Sequence, residues 1–152
     1  MFEKRENNEP VQDEIWVEQK SLPVAKSSVF YRKLEKTLKK IGFADKVREV
    51  CEPAYADEKL GGRPGIDPAV YFKMLMIGFF ENLPSERAIA ARCEDSLSLR
   101  AFLGYELTES TPDHSSLSVI RNRLGIEVYQ QAMVVVLAVS YTHLTLPTTP
   151  YV

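Results

Sequence analysis

Between residues 27 and 139 apolar side chains recur at helical spacing. Phe30, Leu34, Leu38 and Ile41 fall at i, i+4, i+8 and i+11 and line one face of a helix that Gly42 should end. A second helix from Phe43 puts Phe43, Val47, Val50 and Cys51 on one side, with Pro53 expected to stop it. The pair predicts a helical hairpin. Gly61-Gly62-Arg63-Pro64-Gly65 cannot hold regular structure and reads as a linker or turn. Asp67-Pro68 then marks a helix start, with Asp as N-cap and Pro at the first helical position. The helix over 68–82 is apolar nearly all round, with Met74, Met76, Phe79 and Phe80 read as core, so it should be buried at the centre of the fold.

Ser85 caps a short helix reaching about Cys93, and Glu94-Asp95-Ser96 makes a turn. A second short helix covers 97–103 and ends at Gly104. Asp113 to Ser115 cap a helix that turns Leu117, Ile120 and Leu124 inward; Gly125 ends it, and 126–139 reads as a final apolar helix. No convincing strand precedes the tail. The predicted fold is an all-α multi-helix bundle with helix-turn-helix-like elements, a disordered N-terminal arm and an irregular C-terminal tail.

Composition narrows the class. The chain has 152 residues, one domain's worth, and at 45% hydrophobic and 26% charged it is ordinary globular material. Cys51 and Cys93 stand far apart with no partner motif, which excludes a disulfide scaffold and a cysteine zinc site. The chain opens on charged residues rather than a signal peptide. Its longest apolar stretch, at 69–80, is broken by Lys73 and is short of the ~20 residues a membrane span needs. A cytoplasmic protein with no membrane partner is expected.

Charge changes the picture more. Net charge is −2, yet residues 1–19 carry −4, 20–50 carry +6, 51–115 carry −5 and 116–152 carry +1. A strongly basic segment therefore sits inside an acidic chain, which suggests a local anionic contact. On this basis 1–19 reads as a flexible acidic arm and 20–139 as the helical domain. The uncharged stretch Ser140-Tyr141-Thr142-His143-Leu144-Thr145-Leu146-Pro147 onward resembles translated sequencing-adapter tails. Residues 140–152 are accordingly read as a non-native tail, the alternative being a genuine β-type tail at Leu144 and Leu146.

Catalytic motifs are missing from the pattern: no G-x-x-x-x-G-K-[ST], G-x-G-x-x-G, H-E-x-x-H or G-x-S-x-G occurs. A two-metal phosphoryl-transfer site needs converging carboxylates, and no side-chain carboxylate follows Glu127. His114 before Ser115-Ser116 fits a capping loop or, less simply, a nucleophile pair. Neither cofactor nor metal is expected.

Two helical constellations suit DNA. Residues 85–103 have the spacing of a helix-turn-helix. On the helix over 113–124, Ser115, Ser118 and Asn122 face outward with Arg121 and Arg123 flanking the apolar stripe. Short hydrogen-bonding groups beside arginines can meet base edges and phosphates, although a solvated helix face has the same pattern. Arg32, Lys36, Lys39 and Lys40 share one face of the first helix and either track phosphates or are simply solvated. Arg63, inside Gly62-Arg63-Pro64, fits a minor-groove arm or a plain linker.

Several blocks together point to a family. Leu22-Pro23 with Phe30-Tyr31-Arg32-Lys33-Leu34, Gly62-Arg63-Pro64-Gly65-Ile66-Asp67-Pro68, Ser85-Glu86-Arg87, Ser96-Leu97-Ser98-Leu99-Arg100-Ala101-Phe102-Leu103-Gly104 and Thr111-Pro112-Asp113-His114-Ser115-Ser116-Leu117-Ser118 resemble the InsH-type N-terminal domain of bacterial insertion-sequence DDE transposases over about residues 20–139. The resemblance implies a DNA-binding and assembly module for the element's terminal repeats, with double-stranded DNA and a second copy of the chain as partners. It also implies a following RNase H-like domain whose Asp, Asp, Glu triad holds magnesium. No triad residue has a counterpart here, so the resemblance implies a transposase fragment, not itself an enzyme. Val134, Val135, Val136 and Leu137 would then face the missing half. A helical dimerisation module without direct DNA readout is the competing reading.

Overall fold

In the computed structural model, residues 26–55 and 65–145 are described. They form α1 (Lys26–Ile41), α2 (Phe43–Tyr55), α3 (Pro68–Phe80), α4 (Glu86–Glu94), α5 (Leu97–Leu103) and α6 (His114–Thr145). No strand occurs among them, and the protein is an all-α bundle. The expected acidic arm and the end of the tail lie outside the described residues, as does Arg63.

The helix starts follow the local chemistry. Asp67 accepts the Ala69 backbone N–H at 2.9 Å, with Pro68 opening α3. Ser85 caps α4 by accepting from the Ala88 N–H, and Ser96 caps α5 by accepting from the Leu99 N–H. Asp113 accepts the Ser116 N–H at 2.8 Å at the head of α6. Each cap satisfies a donor that the first turn leaves without a partner, worth about 1 kcal/mol.

α3 lies at the centre, packed against α2, α4, α5 and α6. Its Tyr71, Phe72, Met74, Met76 and Ile77 are buried together with Leu34, Leu38, Phe43 and Val47 of the α1–α2 hairpin. Lys73, the one charge in this helix, donates to Glu35 Oε2 of α1 at 2.8 Å and to the Phe102 carbonyl at 3.1 Å. Pairing is what makes a cation tolerable in such a position. Leu117, Ile120 and Leu124 point into the same core, as their spacing predicts.

Some expectations need correction. Pro53 does not stop α2, which continues to Tyr55. A proline so near the end disturbs little of the remaining helix, and the Tyr55 hydroxyl anchors the last turn by donating to the Ile66 carbonyl at 3.0 Å. Phe79 is not core: it is 70% exposed, because the neighbours of α3 leave that side uncovered. The final apolar segment is not exposed throughout. Ala132, Val136 and Val139 are buried at i, i+4 and i+7 and Val135 is half-buried, whereas Val134 and Leu137 face outward. Helix α6 also runs past Val139 to Thr145; nothing between Ile126 and Leu146 breaks a helix, and Pro147 is the first residue that disfavours it. Residue 144 is therefore helical rather than a strand.

Gly125 divides α6. Its φ of 66° and ψ of 169° are non-helical, a region open to glycine at little cost. Two helical segments consequently meet there, as the sequence predicts.

Candidate nucleic-acid interface

Residues 114–124 of α6 form a short amphipathic helix held on the core by Leu117, Ile120 and Leu124. With that face fixed inward, a rotation of ~100° per residue dictates what the rest of the helix presents. Asn122 and Arg123 are exposed, Ser118 is half-buried and Arg121 is 55% exposed. Ser115 is exposed too, but its hydroxyl donates to Asp113 Oδ1 at 2.7 Å and so belongs to the cap.

α4 contributes the group that organises this surface. Glu86, in the first turn of α4, accepts the Ser118 hydroxyl at Oε2 (2.7 Å) and meets Arg121 Nη1 at Oε1 (3.0 Å). Its side chain is only 20% exposed. The position suits a carboxylate, because the head of a helix carries partial positive charge. Next to it, Arg87 Nη2 stands 3.5 Å from His114 Nε2. The Ser116 backbone N–H and the Ser115 hydroxyl pull the Asp113 carboxyl down to about 2, so it is charged at neutral pH.

The candidate residues do not all converge. Ser118 and Arg121 meet at Glu86, while Arg123 projects round the other side of α6, its guanidinium 5.3 Å from the Tyr55 ring centroid. Sequence reasoning missed Glu86, which stands there only within the Ser85-Glu86-Arg87 block, because nothing in the chain's spacing reveals which helix α4 packs beside. It also missed Val119, 56% exposed on the outward face between Ser115 and Asn122. The helical wheel alone places Val119 there, so that signal was available.

The second group lies on α1. Arg32, Lys36, Lys39 and Lys40 are all exposed, opposite the buried Leu34 and Leu38. Lys39 approaches Glu35 at 3.8 Å; for the other three the described residues supply no ion pair. The neighbouring groove of about 240 Å³ between α1, α2 and α3 behaves differently. There Arg48 is bound by Asp67 (Nη2 to Oδ2, 2.6 Å) and by Asp45, and Lys73 by Glu35. The Asp67 bond holds the Arg48 guanidinium charged, and the carboxylate of Asp67 stays below its usual range: burial opposes this, but the Arg48 and Ala69 hydrogen bonds outweigh it. Those cations are neutralised in place and offer little to an external anion.

Among the described residues no three His, Cys, Asp or Glu side chains gather where a metal ion could be held. No helix among them is long and apolar enough to cross a membrane.

These features describe a helical module with an arginine-flanked polar helix face and a separate cationic helix face. The chain belongs to the family described as Transposase domain (DUF772), whose model matches residues 18–123. That span runs from before α1 to Arg123, and so includes both faces. No curated protein and no solved structure matches the chain.

Proposed function

We propose that this chain is the DNA-binding and assembly module of an InsH-type insertion-sequence transposase and engages double-stranded DNA at the element's terminal repeats. The observation that carries the reading is the outward face of residues 114–124, where Ser118, Val119, Arg121 and Asn122 stand on a helix whose opposite side is fixed in the core. Membership of a transposase-domain family supports it. Arginine suits guanine O6 and N7, asparagine suits adenine N6 and N7, and an exposed valine suits the thymine methyl. On this reading Arg32, Lys36, Lys39 and Lys40 of α1 contact phosphates, and Arg123 and Arg63 add charge. Strand cleavage, with its magnesium, is assigned to an RNase H-like domain separate from these helices.

A salt titration of duplex binding tests the reading. Neutralising about four phosphates should give log K against log salt a slope of about −3.6. A flat titration would remove DNA as the partner. A second reading, self-association, rests on Ile126, Val134 and Leu137, which are exposed along one side of the second half of α6. Sedimentation separates the two: a chain that dimerises without salt-dependent duplex binding favours the second.

A further inference from the structure

Resting on the DNA reading above, we propose that Glu86 is a positioning residue for base readout, presetting Arg121 and Ser118 so that they read a guanine beside an adenine or cytosine on the same strand. The juxtaposition of the three side chains across α4 and α6 carries the inference. Both carboxylate oxygens of Glu86 are committed, Oε2 to the Ser118 hydroxyl at 2.7 Å and Oε1 to Arg121 Nη1 at 3.0 Å.

Each commitment limits what its partner can still do. A serine hydroxyl has one hydrogen and two lone pairs. The Ser118 hydrogen is directed to Glu86, with the His114 carbonyl 3.1 Å away as a second acceptor. Toward a base, Ser118 is left as an acceptor. In the major groove the donors it could accept from are adenine N6 and cytosine N4. Guanidinium, by contrast, only donates, and of its five N–H groups the ion pair engages one end. The remaining edge of Arg121, on a side chain 55% exposed, matches guanine O6 and N7.

Glu86 also acts on the cost of binding. A free arginine side chain gives up much of its rotamer freedom when it is fixed. Holding Arg121 against a largely buried carboxylate removes part of that loss before DNA arrives, which is the general advantage of preorganisation. A carboxylate beside the duplex repels phosphate, so the same residue weakens sequence-independent binding. Specificity rises by both routes.

The test uses the full chain and a pool of duplexes with a randomised core, from which the wild type selects its preferred sequence. The wild type should enrich a guanine next to an adenine or cytosine on the same strand. E86Q should bind scrambled duplex at least as tightly as the wild type while its preferred-to-scrambled affinity ratio falls about tenfold, with the guanine preference lost. S118A should lose the neighbouring preference and keep the guanine. Should E86Q fail to fold by circular dichroism, E86D decides: it keeps the charge in the first turn of α4 but cannot span both partners, and the same ratio should fall. A wild type that enriches a motif lacking guanine, or a folded Glu86 variant with unchanged motif and ratio, overturns the proposal while duplex binding itself stands. Absence of any salt-dependent duplex binding by the wild type removes the DNA reading and this proposal with it.

Discussion

Gly78→Ala sets two well-characterised effects against each other. Gly78 is buried within α3, and a Cβ placed there would lie 2.5 Å from Cδ1 and 2.9 Å from Cγ1 of Ile89 on α4. In a helix interior alanine is favoured over glycine by about 1 kcal/mol. Carbon atoms, however, rest at about 3.5–4.0 Å, so both contacts are deeply repulsive. Ile89 is itself buried and β-branched, which leaves it few rotamers into which to retreat. α3 and α4 must therefore part, and overpacking of this kind costs about 1–3 kcal/mol. The clash should win, leaving the variant less stable by up to about 2 kcal/mol and lowering Tm by up to several degrees. Urea unfolding followed by far-UV circular dichroism measures this directly. The control is the same substitution beside Ile89→Ala, which removes both Cδ1 and Cγ1 at a cost of its own of about 2–5 kcal/mol. In that background Gly78→Ala should become neutral or stabilising, giving a coupling of about 1 kcal/mol or more between the two sites. If Gly78→Ala stabilises the protein in both backgrounds, α3 does not meet α4 as described.

Other expectations follow from charge and burial. Asp113 has its folded carboxyl held at about 2 by the Ser116 N–H and the Ser115 hydroxyl, while an unfolded aspartate titrates near ~3.9. Its contribution to stability is thus complete above the unfolded value and is lost as pH falls toward the folded one. Asp113→Asn keeps an acceptor for the cap without the titration, so the wild type should lose more stability than the variant between mildly and strongly acidic pH; equal losses would contradict the assignment. Burial pushes the Cys51 thiol up to about 11; burial, with Glu81 nearby, takes Cys93 to about 12. Neither should react with iodoacetamide at neutral pH until denaturant is added, and rapid labelling of the native protein, read by mass spectrometry, would show the core to be open. Removing Lys36 or Lys40 should weaken binding to all duplexes alike and reduce the salt slope by about one per residue. A change in sequence preference instead would mean that α1 reads bases.

Much of the fold could be read from the chain because its signals are local. A cap such as Asp67 or Ser85 bonds to an amide two or three residues away, and the inward stripe of Leu117, Ile120 and Leu124 is a matter of helical period. Local chemistry also located the break at Gly125. What escaped was set by neighbours distant in sequence. α3 is apolar all round, so nothing in it says that the bundle leaves Phe79 uncovered. In the 126–139 segment Glu127, Gln130 and Gln131 do mark an outward side, which continues through the exposed Val134 and leaves Val136 opposite; the apolar run that follows Gln131 masks this signal. The candidate interface divides the same way. Ser118, Arg121, Asn122 and the α1 cations emerge from helical periodicity, whereas Glu86 lies 32 residues from Ser118 and joins it only through tertiary packing.

A net charge of −2 is a poor guide to whether this surface can meet an anion, because several carboxylates are already engaged by cations inside the bundle. Glu35 holds Lys73, Asp67 and Asp45 hold Arg48, and Glu81 holds Arg92 through two hydrogen bonds. The Lys73–Glu35 and Arg92–Glu81 pairs each look nearly neutral from a distance, and Arg48 with its two aspartates carries one net negative charge. Exposed charges interact over about 8–10 Å at physiological salt, so a duplex would feel the local face rather than the sum. The α1 face presents four cations in one arc, and among the described residues the carboxylate paired with them is Glu35, at 3.8 Å from Lys39. Around the head of α6 the carboxylate is instead woven into the cationic surface itself, shared between Arg121 and Ser118. The first arrangement suits phosphates of any sequence; the second sacrifices some of that attraction to fix the direction of two side chains. A protein that had only to hold DNA would gain by discarding Glu86. The presence of both arrangements on one small bundle is what a chain needs if it must first find duplex and then stop at a particular sequence.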